Sequence, residues 1–176
     1  MSKHPEIWTI GHSTRTLDEF LALLQEQKIE LIADVRQFPG SRRYPHFGRD
    51  QLEASLAQAH ISYVHFPELG GRRAPSPDSP NTAWRNQAFR GYADYMQTDA
   101  FKEGKERLTE IAKAKRVAMM CAEAVWWSCH RSLISDLLKV EGWKVLHILG
   151  NEKVQEHPFT GAASVVDGKL SYATLI

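Results

Sequence analysis

The length, composition and charge of the chain set limits on its class. It has 176 residues, of which 43% are hydrophobic, and a formal net charge of +1 at pH 7. A chain of this length fits one domain and buries roughly 70% of its unfolded surface without needing disulfides. The small net charge gives no broad field for nucleic acid, and no apolar run approaches the roughly 20 residues of a membrane helix. With two cysteines and no apolar leader, we expect a cytoplasmic protein without membrane association.

Arginine and lysine are distributed unevenly along the chain. Residues 36–90 contain eight arginines, four acidic residues and no lysine, whereas all ten lysines lie outside this window. The planar fork of arginine binds phosphate and carboxylate with two hydrogen bonds, which lysine does not do. The window therefore indicates anion recognition, although a solvated arginine-rich surface would have the same composition.

Short apolar runs alternate along the chain with segments of helical period, which is typical of an α/β fold. Thr16 and Glu19 have the spacing of a capping box and predict a helix from Leu17, and Asp50 and Glu53 suggest the same kind of start for the next helix. The other predicted helices are 86–96, 99–114 and 129–141. The predicted strands are 7–10, 31–35, 61–66, 116–120 and 143–149.

Two further segments complete the predicted architecture. Residues 67–84 contain four prolines and the pair Gly70–Gly71, which is typical of a functional lid or a binding loop. Asp167–Gly168 has the spacing of a two-residue turn between short strands at 164–166 and 169–172. We therefore predict a single three-layer α/β domain over residues 1–176, with a mostly parallel sheet of about five strands and a C-terminal hairpin.

Residues able to do chemistry follow several of the predicted strands. Strands joined by helical crossovers run parallel, and ligands bind beyond their carboxyl ends. We expect these residues to share one pocket at that edge. The predicted catalytic residues are His12, Asp34, Cys121, Glu123 and His130. The predicted anion-binding residues are Gly11, Ser13, Arg36, Arg42 and Arg131.

The first two groups have clear chemical interpretations. Gly11, His12 and Ser13 connect a strand to a helix, so their backbone N–H groups and the serine hydroxyl suit an anion, and His12 suits acid–base catalysis. Asp34 and Arg36 lie on the same face if the strand continues. They form either a structural ion pair or a pair in which Asp34 orients a base or contacts a ribose while Arg36 binds an anion.

The stretch MMCAEAVWWSCHRS, residues 119–132, leaves several interpretations open. Cys121 ends a predicted strand and Cys129 begins a helix, whose dipole favours a thiolate nucleophile. Arg131 lies ten positions after Cys121, too far for the phosphate-binding loop of tyrosine phosphatases. A disulfide between the two cysteines is a further alternative. If a metal is bound, the predicted ligands are Cys121, Glu123, Cys129 and His130, although paired C-x-x-C spacing is missing.

Motifs over about residues 7–150 resemble those of a known family, the domain of unknown function 488. The resemblance implies a cytoplasmic α/β domain with a set of polar motifs, and it leaves the reaction open. The matching stretches include Thr9-Ile10-Gly11-His12-Ser13, Asp34-Val35-Arg36, Leu69-Gly70-Gly71, Cys121-Ala122-Glu123, Cys129-His130-Arg131 and Val145-Leu146-His147-Ile148.

The sequence favours an enzyme that acts on a phosphorylated or nucleotide-like small molecule, as a hydrolase or a transferase. One alternative is a non-catalytic module that binds a nucleotide or nucleic acid through the arginine-rich window. Another is a metal-dependent hydrolase. Cofactor and oligomeric state stay open.

Overall fold

A computed structural model describes residues 4–40, 42–71 and 73–174. Its main sheet consists of β1 (Glu6–Gly11), β2 (Leu31–Asp34), β3 (Ser62–His65), β4 (Val117–Cys121), β5 (Lys144–Gly150) and β6 (Lys153–Glu156). The α-helices are α1 (Leu17–Glu26), α2 (Arg49–Gln58), α3 (Gln87–Tyr95), α4 (Asp99–Ala114) and α5 (Arg131–Val140). A separate hairpin is formed by β7 (Ser164–Val166) and β8 (Lys169–Ser171). None of the described helices is long and apolar enough to cross a membrane.

The main sheet has six strands in the order β3-β2-β4-β1-β5-β6. The first five strands are parallel, as predicted, and β6 is antiparallel to β5. Strand β6 is absent from the predicted elements because Lys153–Glu156 is a short, largely exposed edge segment without a buried apolar run. The hairpin forms around Asp167–Gly168, both with positive φ, which confirms that prediction.

Helices cover both faces of the sheet, which gives the predicted three layers. Alternate residues of a strand point to opposite faces, so Ile7 of β1 lies in one hydrophobic cluster and Ile10 in the other. The Ile10 cluster is closed by α1 and α2, mainly through Phe20, Leu24, Leu52 and Leu56. The Ile7 cluster is closed by α3, α4 and α5, mainly through Tyr92, Phe101, Leu108, Leu133 and Leu138.

The starts of the first two helices differ in mechanism. At α1 the capping box is present: Thr16 Oγ1 accepts from the Glu19 amide, and Glu19 Oε1 accepts from the Thr16 amide, both at 3.1 Å. The prediction that α2 starts through Asp50 and Glu53 is wrong. Its N-cap is Gly48, which offers no side-chain cap, and Asp50 lies inside the first turn, where the helix dipole favours its charge.

Three neighbouring strands, β2, β4 and β1, direct their following loops to one edge of the sheet. The strand pairing continues past β4, because the His12 amide donates to the Cys121 carbonyl and the Ser13 amide donates to the Ala122 carbonyl, both at 2.9 Å. The 67–84 segment begins with a single 3-10 turn, Pro67–Leu69, and Gly71 then contacts the His130 ring. These loops enclose the main cavity of the described residues.

Candidate functional site

A cavity of about 700 Å³ lies at the carboxyl edge of the parallel strands. It draws side chains from the segments after β1, β2 and β4, as the alternation of strands and helices predicts. The predicted site residues that line it are His12, Ser13, Arg36, Cys121, Glu123, Cys129 and His130.

Arg36 is held on the cavity wall by a buried carboxylate. Asp34 Oδ1 accepts from Arg36 Nε at 2.9 Å, and Asp34 Oδ2 accepts from Arg36 Nη2 at 2.7 Å. Tyr63 donates its hydroxyl to the same Oδ2 at 2.5 Å. Because Asp34 has no exposed surface and its oxygens are occupied by these donors, it acts on the cavity only through Arg36.

His12 lies beside Arg36 and contacts it through one ring nitrogen. Its Nδ1 donates to the Ser13 carbonyl at 3.0 Å, so the lone pair is on Nε2, 3.5 Å from Arg36 Nη1. The ring stacks on Phe47 with centroids 4.4 Å apart. Burial lowers the pKa of His12 to about 4, and the charge of Arg36 acts in the same direction. At neutral pH the ring is therefore uncharged, and its Nε2 accepts the long hydrogen bond from Arg36 Nη1.

Gly11 is required by the path of the loop after β4. A Cβ on Gly11 would lie 1.6 Å from the Glu123 carbonyl oxygen, so no other residue fits without moving the backbone. This close approach fixes the main chain of Glu123 while its side chain stays exposed. The cavity thus has a carboxylate at its mouth, on a backbone anchored to β1.

Arg131 lies behind the cavity wall as a buried cation. Its Nη2 donates to the Glu123 carbonyl at 2.8 Å and its Nη1 donates to Thr9 Oγ1 at 3.0 Å, while no described residue is a hydrogen-bond partner of Nε. Among the residues that the structure describes, no carboxylate forms a salt bridge with it. A guanidinium that is 1% exposed and contacts only neutral acceptors favours an anion nearby.

A chain of buried hydrogen bonds fixes Arg131 from the other side. Thr9 Oγ1 lies 2.6 Å from His147 Nδ1, His147 Nε2 lies 2.8 Å from His157 Nδ1, and His157 Nε2 lies 2.8 Å from Asp136 Oδ1. A carboxylate only accepts, so His157 Nε2 donates to Asp136 Oδ1, and a neutral His147 completes the chain with one donor and one acceptor nitrogen. Burial lowers the pKa of His147 to about 2, in agreement with this assignment.

The two cysteines meet at the base of the cavity. Both are free and almost fully buried, and their sulfur atoms lie 2.6 Å apart. His130 donates from Nε2 to the Val35 carbonyl at 2.9 Å, so its Nδ1 lone pair faces Cys129 Sγ at 3.4 Å. Burial alone would raise the pKa of the Cys129 thiol, but the Cys121 thiol and Arg131 outweigh it and lower the pKa to about 7. Burial raises the pKa of Cys121 well above its usual range.

The remaining predicted site residues do not line the cavity. Asp34 and Arg131 lie behind its wall, and Gly11 serves the close approach to Glu123. Arg42 is exposed, and Arg43 is the arginine of that loop that reaches the cavity. The backbone N–H groups of His12 and Ser13 are bound to carbonyls of the β4 loop, so Ser13 offers a ligand its hydroxyl and no amide.

Several residues of the site lie outside the predicted set. Tyr63 secures Asp34 from the neighbouring strand β3, a contact that follows from the strand order and has no signal in the sequence. Phe47 supports His12 from a 3-10 turn. Phe38 lines the cavity and is 69% exposed, and its place two residues after Arg36 is a signal that could have identified it.

The donor atoms of the described residues do not form a metal centre. No group of three or more histidine, cysteine, aspartate or glutamate side chains converges there as metal binding requires. Cys121, Cys129 and His130 contact one another, but His130 Nε2 is used by the Val35 carbonyl and the Glu123 carboxylate is exposed. The metal-dependent hydrolase therefore gains no support from the geometry.

Comparisons with known proteins identify a family. The model of the domain of unknown function DUF488 matches residues 16–138, more than two thirds of the chain. No curated protein and no solved structure matches. The matched range contains the cavity-lining Arg36, Cys121, Cys129 and His130, together with Asp34 and Arg131 behind the wall. The chain therefore belongs to the domain of unknown function 488 family.

Proposed function

We propose that this protein is a cytoplasmic enzyme that binds a phosphorylated or nucleotide-like small molecule in the cavity and acts on it as a hydrolase or a transferase. The observation that carries the proposal is the arrangement of Arg36 and His12. Asp34 holds two of the three guanidinium nitrogens, and the third, Nη1, lies at the cavity wall in a long hydrogen bond of 3.5 Å to His12 Nε2.

The charges around the cavity favour an anionic ligand. Arg36 presents a pre-oriented donor, which lowers the entropy lost when an anion binds. Arg43 adds an exposed positive charge on the wall. The buried guanidinium of Arg131 contributes a positive potential from below, since no described carboxylate neutralises it. Arg36 and Arg43 thus lie on the cavity wall and Arg131 lies behind it.

Ligand binding itself activates His12 in this proposal. An anion placed against Arg36 Nη1 lies near His12 Nε2, and a neighbouring negative charge favours the protonated ring. The pKa of His12 then rises from about 4 towards neutral pH, where general acid–base catalysis is most effective. Glu123, at the mouth of the cavity, supplies the second proton-transfer group.

Aromatic side chains support a ligand that carries a ring, such as a nucleobase. Phe38 and Phe89 line the cavity, and the largely exposed Phe38 offers a face for stacking. A base stacked on an aromatic side chain is worth about 1–3 kcal/mol. Inorganic phosphate would use the arginines alone, so a nucleotide should bind more tightly than phosphate.

The test is a thermal unfolding screen followed by an activity assay. Nucleotides, sugar phosphates and inorganic anions are added separately, and a ligand at about 100 times its dissociation constant raises the unfolding free energy by about 2.7 kcal/mol. Compounds that stabilise the protein are then assayed for turnover by the wild type, His12→Asn and Glu123→Gln. Turnover that falls about 100-fold or more in His12→Asn supports the proposal. A panel in which no compound shifts the transition contradicts it.

The exposed Phe38 beside Arg43 also fits a second function, a non-catalytic module for a nucleotide or nucleic acid. The two functions differ in their response to salt. The affinity of a module that binds along a nucleic-acid backbone falls steeply, for any sequence, as the salt concentration rises. An enzyme pocket instead keeps its preference for one small ligand. Steep salt dependence together with absent turnover would favour the module.

A further inference from the structure

The two sulfur atoms at the base of the cavity form a pair that the proposed function does not use. Cys121 comes from the end of β4 and Cys129 from the residue before the N-cap of α5, yet Sγ lies 2.6 Å from Sγ. Both thiols are reduced in the structure and both line the cavity. We propose that Cys121 and Cys129 are a redox-active dithiol that is reversibly oxidised to a disulfide by exchange with a small disulfide.

The surroundings give the two cysteines different chemical roles. The Arg131 backbone N–H points at Cys129 Sγ at 3.5 Å, and the start of α5 adds the positive end of the helix dipole. The His130 Nδ1 lone pair, 3.4 Å from Cys129 Sγ, is placed to accept the thiol proton. Among the described residues, Cys121 Sγ has hydrogen-bond contacts with the Glu123 carbonyl, at 3.8 Å, and with its partner sulfur. Cys129 is therefore the attacking thiolate and Cys121 the resolving thiol.

The exchange balances with one small disulfide, written RSSR. The Cys129 thiolate attacks one sulfur, forms a Cys129–S–SR bond and releases RS⁻, which takes up the proton that Cys129 lost. Cys121 then gives up its proton and attacks Cys129 Sγ, forming the intramolecular disulfide and releasing a second RS⁻, which takes up that proton. The protein loses two electrons and two protons, and RSSR becomes two RSH.

The buried cation behind the pair supports the first step. Arg131 has no carboxylate partner among the described residues, and its guanidinium is held by Thr9 and the Glu123 carbonyl. A thiolate at Cys129 places a negative charge near this guanidinium and compensates it. Oxidation then removes that negative charge, so the redox state of the pair changes the electrostatics of the cavity that holds Arg36.

The experiment incubates the native protein with glutathione disulfide and follows the intact mass and the free thiols. The wild type should lose two thiols and two hydrogen atoms without a lasting adduct, and dithiothreitol should restore both thiols. Cys121→Ser lacks the resolving thiol and should accumulate one mixed disulfide on Cys129. Cys129→Ser lacks the attacking thiolate, so its reaction should be slower than that of Cys121→Ser by a factor of about ten or more.

Matched measurements make each outcome decisive. Circular dichroism and thermal unfolding establish that each serine variant is folded, and urea-denatured wild type shows that both thiols react when exposed. Wild type that keeps both thiols under conditions that oxidise the denatured chain would overturn the proposal. A Cys129→Ser variant that reacts as fast as Cys121→Ser would overturn the assignment of roles, and a stable adduct on both cysteines of the wild type would overturn the resolving step.

Discussion

The Asp34 carboxylate binds three donors of one residue, Arg36, through its amide at 3.0 Å, Nε at 2.9 Å and Nη2 at 2.7 Å. Each of these bonds restricts the guanidinium, and together they leave Nη1 as its one nitrogen directed at His12. The pair is fully desolvated on the carboxylate side and opens to the cavity on the arginine side. The ion pair therefore orients Arg36 Nη1, which lies 3.5 Å from His12 Nε2, at the wall of the cavity.

Tyr63→Phe tests how firmly the carboxylate is held. The variant removes the hydrogen bond from the phenol to Asp34 Oδ2 and keeps the ring, so we expect it to lower the unfolding free energy by about 1.5–3 kcal/mol. Tyr95→Phe is the matched control, since that hydroxyl donates to the neutral Glu68 carbonyl and should cost about 1 kcal/mol. Urea denaturation measures both. Equal losses would show that the Tyr63 bond gains nothing from the charge of Asp34.

Gly11→Ala tests the close approach of the Glu123 loop. The added Cβ meets the Glu123 carbonyl oxygen at 1.6 Å, and both partners are backbone held by strand pairing, so we expect a loss of about 3 kcal/mol or more. Gly161→Ala is the control, because its Cβ would meet no atom of the described residues within 4 Å, and it should change stability by less than about 1 kcal/mol. Thermal unfolding measures the stability of both variants. Equal unfolding temperatures for Gly11→Ala and Gly161→Ala would contradict this account.

Stability should fall as the pH drops below about 6.5. Burial lowers the pKa of His12 to about 4 and that of His147 to about 2 in the folded protein. As the pH falls, the unfolded chain therefore binds protons at these histidines at a higher pH than the folded protein does. The two neutral histidines contribute fully to the unfolding free energy above the pKa that they have in the unfolded chain. This contribution is lost as the pH falls towards their pKa values in the folded protein. We expect urea denaturation to show a loss of about 2 kcal/mol between pH 7 and pH 5.5.

A histidine variant assigns this pH dependence. The slope of the unfolding free energy against pH is proportional to the number of protons that the chain takes up on unfolding. Below pH 6.5, His12→Gln should lower this number by about one, whatever its effect on stability at pH 7. His4→Gln, which replaces an exposed histidine, is the matched control. A His12→Gln curve parallel to that of the wild type would show that His12 is not a buried neutral group.

Two adjacent arginines should differ in ligand binding. Arg43 lines the cavity and Arg42 does not, although both are exposed and carry the same charge. Arg43→Gln should weaken the binding of a phosphorylated ligand by about fivefold or more, whereas Arg42→Gln should change it by less than twofold. Titration calorimetry at constant salt measures both affinities. Equal weakening would indicate a diffuse charge effect with no contact from Arg43.

The sequence supports prediction of the fold where a local pattern determines the structure. The capping residues Thr16 and Glu19, the turn at Asp167–Gly168 and the apolar period of Asp99–Ala114 each specify an element by short-range physics. Strand β6 has no such pattern, since an exposed edge strand is stabilised by pairing with β5. The start of α2 after Gly48 lacks a side-chain cap, and no polar signal marks it.

Prediction of the site succeeds for position and fails for orientation. The strand order brings His12, Arg36 and Glu123 to one edge, as the alternation of strands and helices indicates. The sequence does not reveal that Asp34 lies behind Arg36, or that Arg43 lines the cavity and Arg42 does not. Those directions depend on side-chain packing with distant residues such as Tyr63, which no local spacing encodes.

The most direct test of the central claim is titration calorimetry of the phosphorylated compound that stabilises the wild type most. Asp34→Asn/Arg36→Gln removes both charges of the buried pair together, so neither is left without its partner. We predict that this folded double variant binds about tenfold or more weakly, while Arg42→Gln binds as the wild type does. Equal affinity of the double variant and the wild type, or no binding of any phosphorylated compound to the wild type, would contradict the account.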